Sequence, residues 1–158
     1  MTPSTAANDF MRGRALTGFR FGSGFTLYFG PRPGDRGPHG TATLQIDGPH
    51  RLDGLGDREE LLGSFPISTS EPSEPLLAAL LVELLWARPQ AVESAVVSPA
   101  GDLVLHLEGQ ARLSCSVDPG VSGPDWALYS GGDGSAPKTW LLQSEAGSVE
   151  GPHVVANP

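Results

Sequence analysis

Short runs that alternate apolar and polar side chains, parted by turns rich in Gly and Pro, make up most of this 158-residue chain. Leu16–Phe21 and Phe25–Phe29 flank Gly22-Ser23-Gly24. Alternation with a period of two around a glycine turn predicts a β-hairpin. Phe25, Leu27 and Phe29 fall on one of its faces, Thr26 and Tyr28 on the other. Residues 31–40 (PRPGDRGPHG) hold too much Pro and Gly for regular structure and read as a loop. The alternation returns at Thr41–Ile46, with Ala42, Leu44 and Ile46 inward, which predicts a third strand. Asp47-Gly48-Pro49 turns it, and His50–Leu52 forms a short extension.

One segment follows a different period. Asp57–Leu62 reads as a helical turn and Ser64–Thr69 as a short strand, and a polar linker then leads to Ser73-Glu74-Pro75. A serine N-cap, an acid at the positive helix end and a proline in the first turn mark a helix start. Leu76, Leu77, Leu80, Leu81, Leu84, Leu85 and Trp86 then cover more than one helical face, with Glu83 the charged residue among them. This predicts a helix over about 75–87, buried on most sides and ended by Arg88-Pro89.

Beyond it, Val92–Ser98, Leu103–Leu107 and Ala111–Val117 read as a three-stranded antiparallel meander, turned by Pro99–Asp102 and by Glu108-Gly109. Trp126–Tyr129 and Thr139–Gln143 form two further strands around a Gly-rich loop, and periodicity is lost from about Glu145. The expected fold class is α+β: a mainly antiparallel sheet of about seven or eight short strands with one buried apolar helix. It occupies a single domain over 14–145, with flexible tails at 1–13 and 146–158.

Composition narrows the function more than the fold. A 39% hydrophobic and 18% charged chain of this length can bury a real core. Charge is unevenly spread. Residues 1–40 hold five Arg against Asp9 and Asp35, whereas residues 41–158 hold five basic and sixteen acidic side chains. Such a surface repels phosphate backbones, which argues against nucleic acid and suits either plain solubility or a basic protein partner. The start lacks the apolar run of a secretory signal, and Leu76–Trp86 is too short to span a bilayer, so a cytoplasmic protein without membrane attachment is expected.

The chemical motifs are sparse. A lone cysteine, Cys115, excludes an internal disulfide, and it shares an apolar strand face with Leu113 and Val117, where a thiol packs as a small hydrophobe. His39, His50, His106 and His153 show no metal-ligand spacing; His106 and Glu108 read as a solvated pair on a wet strand face. Gly22–Gly24 and Gly131–Gly134 lead into strands, not into helix N-termini that could hold a phosphate. Asp118, Asp125 and Asp133 lie in loops, where aspartates cap turns more often than they act as acid and base. No catalytic residue, cofactor or metal is therefore assigned. Trp126, Tyr129 and Trp140 read either as sheet core, the favoured reading for both tryptophans, or as aromatics of an interface. Tyr129 has the opposite parity to Trp126, so burial of the Trp predicts a more exposed Tyr. With Asp125 and Asp133 these three form the candidate interaction surface.

The run Gly101–Leu107 (G-D-L-x-L-x-L), then Val117-Asp118-Pro119, Asp125–Tyr129 (DWALY) and a Gly-rich hairpin, resembles small actinobacterial proteins classed as a domain of unknown function. In these a Trp strand follows a similar meander. The likeness covers 15–145 in layout and is specific over 101–141; the loop at 31–40 and the apolar helix depart from it. The motif is structural and transfers no catalytic residue. Some similar small proteins look like immunity partners of secreted toxins, which implies a bacterial protein-binding role. Three functions stay open: a non-catalytic binding domain, such as an immunity-type inhibitor with an acidic face for a basic partner; a small enzyme or ligand-binding domain whose site assembles only in three dimensions; and a structural component of a larger assembly.

Overall fold

A computed structural model of the chain describes residues 1–21, 24–32, 41–54, 91–120, 123–130, 141–145 and 148–153. Among the described residues are one α-helix, α1 (Pro3–Met11), and ten strands. The strands are β1 (Leu16–Phe21), β2 (Phe25–Phe29), β3 (Ala42–Ile46), β4 (His50–Asp53), β5 (Val92–Val97), β6 (Leu103–Leu107), β7 (Arg112–Cys115), β8 (Trp126–Ser130), β9 (Leu141–Glu145) and β10 (Ser148–His153). They pair antiparallel throughout, in a six-stranded sheet β1-β2-β3-β8-β9-β10 and a four-stranded sheet β4-β7-β6-β5. The mainly antiparallel α+β class is as the alternation predicted, with ten strands in place of seven or eight. The helix expected over 75–87, the helical turn at 57–62 and the strand at 64–69 lie outside the described residues.

Alternation places the core. Leu27, Leu44, Leu128 and Leu142 stand in register across β2, β3, β8 and β9, and Phe25, Ile46 and Trp126 form the next row. The four-stranded sheet answers with Leu52, Leu113, Leu105 and Ala95 in one row and Cys115 with Leu103 and Val97 in another. The two inner faces and α1 share one apolar cluster. Each fully buried leucine contributes about 1.5–3 kcal/mol through the surface it removes from water.

His50–Leu52 does not extend β3 within its own sheet. The chain turns at Asp47-Gly48-Pro49 and enters the four-stranded sheet as β4, paired with β7. Asp47 N and Gly48 N both donate to the Asp125 carbonyl at 2.8 Å, and Pro49 O accepts from Ser116 N at 2.8 Å. The corner therefore joins one sheet to the other through main-chain bonds.

Each segment expected as a tail holds one regular element among its described residues. In the first, Thr2 caps α1 by accepting from Thr5 N at 3.1 Å, and Pro3 occupies the first turn, where its missing N–H costs nothing. Ala6, Ala7 and Met11 are buried and Phe10 packs on the core, a stripe whose short side chains hide it from a hydropathy reading. Buried Arg14 holds the helix end, donating to Phe10 O at 2.7 Å and to Gly30 O at 3.3 Å while its guanidinium lies over the Phe10 ring. At the other terminus, β10 adds to β9 as the last strand of the large sheet, where main-chain pairing needs no apolar pattern. No helix among the described residues is long and apolar enough to cross a membrane.

Candidate functional site

The predicted interaction residues begin at β8, an interior strand of the six-stranded sheet. Trp126 is wholly buried, and its indole N–H donates to Gly101 O in the β5–β6 turn at 2.9 Å, so one side chain spans both sheets. Asp125 is buried as well. Its carboxylate accepts from Asp118 N at 3.1 Å while its carbonyl receives the two amides of the β3–β4 corner. The amides of Asp125 and Trp126 both donate to Ser144 Oγ on β9, at 3.1 Å each. Gly48 is required beside this knot, because a Cβ there would stand 2.6 Å from the Asp125 Cβ.

Asp125 and Trp126, two of the residues put forward for an interaction surface, are thus buried and bind the fold together. Tyr129 departs from expectation in another way. It sits on the opposite face of β8 from Trp126, yet it too is buried, as is its register partner Thr43. Both faces of β8 are covered at this point, so parity alone did not predict exposure. Burial raises the Tyr129 phenol above its usual pKa, with Tyr28 adding to the effect. Asp133 and Trp140 lie outside the described residues.

The other chemically capable groups are also in structural use. Asp118 accepts from Gly120 N at 2.9 Å, as loop aspartates do when they cap turns, and Asp102 accepts from the more distant Val117 N at 3.0 Å. Cys115 is buried in the apolar row, and desolvation pushes its thiol up to about 12. A thiolate nucleophile is not accessible there at neutral pH. Among the described residues no group of three His, Cys, Asp or Glu side chains could hold a metal ion. Glu108 leaves the strand in a short turn after β6, and the register sets His106 beside Arg112 and Ser94 instead.

Among the described residues, the outer face of the four-stranded sheet is partly exposed. Asp53, Arg112, His106 and Ser94 form one row across it; Arg51, Ser114, Val104 and Val96 form the next. Arg112 grips Asp53 through two bonds of 3.1 Å, which raises the guanidinium pKa further, and Arg51 approaches the same carboxylate at 3.5 Å. Val96 is 44% exposed. Exposed Glu93 and Glu108 lie at the end of this face where Val92 pairs with Leu107. The surface can make polar and charged contacts. Its members were missed in sequence because Asp53 and Arg112 are 59 positions apart and meet only through the β4–β7 register.

Compared with protein-family models, curated proteins and solved structures, the chain matches none.

Proposed function

We propose that this chain is a non-catalytic protein-binding domain of the immunity-inhibitor type, which presents acidic side chains to a basic partner. The observation that carries the reading is the charge balance after residue 40, sixteen acidic side chains against five basic. The use of individual acids supports it. Asp53, Asp102, Asp118 and Asp125 are committed to bonds within the fold. Glu93, Glu108 and Glu150 stand exposed at its surface. Excess charge of one sign steers a partner of the opposite sign and raises the rate of encounter.

The contact itself fits the end of the β5–β6 hairpin that carries Glu93 and Glu108, beside the outer sheet face. The test is affinity capture from the native host with the wild-type chain and with the double reversal Glu93→Lys/Glu108→Lys. The reading predicts one stoichiometric basic protein on the wild type, released by raised salt and lost from the variant. Equal recovery on both chains, or no stoichiometric partner, removes it.

A further inference from the structure

We propose that the outer edge of β5 is a self-association surface of this chain, held shut by α1 and opened when that helix lifts. β5 is the last strand of its sheet, and an edge strand exposes amides and carbonyls that another strand can pair with. Here helix side chains take the place of that strand. Ala95 N donates to Asn8 Oδ1 and Val97 N to Ser4 Oγ, each at 3.1 Å. Four residues of helix rise about 6 Å, close to the roughly 6.6 Å of two strand residues, so Ser4 and Asn8 match the edge repeat.

The mimicry continues toward the other end of the edge. Gly13 N donates to Val92 O and Val92 N to Arg14 O, both at 2.8 Å, and Ala15 bridges to Ala91. The N-terminal segment thus runs antiparallel along all of β5, helical opposite residues 95–97 and extended opposite 91–92. Gly13, with φ at +82°, sits where the two modes meet and suits a pivot. Ser4 and Asn8 supply acceptors, whereas a paired strand would both accept from and donate to Ala95 and Val97.

A second feature points to what takes the helix's place. Val96, between the two capped amides, is with Met1 the exposed large apolar side chain among the described residues. The strand reads VESAVV, with one charge and no proline, a composition prone to strand pairing. A second copy added antiparallel about Val96 would set Ala95 opposite Val97 of the second copy, and the reverse. Four main-chain bonds in the dimer would replace four side-chain bonds, two from each copy. The two Val96 side chains would meet across the two-fold axis, where facing residues lie closest, and no like charges would be opposed.

The test uses the full chain carrying Ser4→Ala/Asn8→Leu, followed by amide exchange in NMR and by sedimentation across a concentration series. At concentrations where the variant is monomeric, protection at Ala95 and Val97 is expected to fall about tenfold, the effect of losing a bond of ordinary strength. Ser94 and Val96 keep theirs, and a concentration-dependent dimer forms. Adding Val96→Lys returns the chain to monomer by placing like charges at the axis. A variant that stays monomeric across the series, keeps its protection at Ala95 and Val97 while monomeric, or dimerises despite Val96→Lys overturns the proposal. The wild type supplies a measurement independent of variant folding: Ala95 and Val97 exchange through an easier opening than Ser94 and Val96. Equal protection at all four amides contradicts a helix that lifts.

Discussion

Trp126 shows how one side chain can join two sheets. Its burial adds to the core, and its N–H satisfies a carbonyl in the turn of the opposite sheet. Trp126→Phe keeps most of the apolar volume but leaves the buried Gly101 carbonyl unpaired. It is expected to lower unfolding stability by about 1–3 kcal/mol, read from the urea midpoint. Cys115 makes a prediction about pH. Its thiol is held at about 12 in the fold against an ordinary 9.0, so the unfolded chain loses its proton first. The stability this group confers is fully present below its unfolded value and is lost as pH rises toward its folded one. The slope is about 1.4 kcal/mol per pH unit in that window. The difference between wild type and Cys115→Ala in denaturation series isolates it, and equal slopes for the two chains would contradict the buried thiol. Residue patterns foretold the buried Trp and the packed Cys because both follow from strand parity. They missed the burial of Tyr129 and Thr43, since parity assigns a face but says nothing of what lies against it.

At the scale of elements, most strands were legible. The bounds of β1, β2 and β6 match the alternating runs, because period-two burial writes itself into the order of side chains. The partition into two sheets was not legible, since nothing local in Asp47-Gly48-Pro49 shows that the chain changes sheet there; that depends on bonds from the distant Asp125 and Ser116. α1 did leave a signal, a Thr2-Pro3 start followed by Ala7, Phe10 and Met11 at helical spacing, but Ala and Thr gave it too little hydropathy to stand out. Its cap makes a direct prediction. Thr2→Ala is expected to cost about 1 kcal/mol, seen as faster exchange of the amides in the first turn of α1. Unchanged exchange there would show that packing alone holds the helix start.

Over the whole molecule, the candidate site was the least legible part. Five residues near β8 were put forward for their chemistry, and the fold draws Asp125 and Trp126 inside to tie its sheets together. Open surface is supplied instead by pairs set by register, Asp53 with Arg112 and Val96 with Val104, which no local motif announces. Net charge survives that rearrangement because it is a property of the whole chain. Its excess of acid lies after residue 40. A binding role drawn from it rests on long-range attraction, which salt weakens over a screening length of about 8 Å at physiological ionic strength.

The most direct measurement of that role is the association rate of the captured partner with the purified chain, followed over a series of salt concentrations. A partner steered by the acidic surface binds one to one, and its association rate falls steeply with salt while dissociation changes little. Glu93→Lys/Glu108→Lys slows association at low salt. An association rate that is flat across the series and unchanged by the double reversal would contradict an acidic face as the means of recognition.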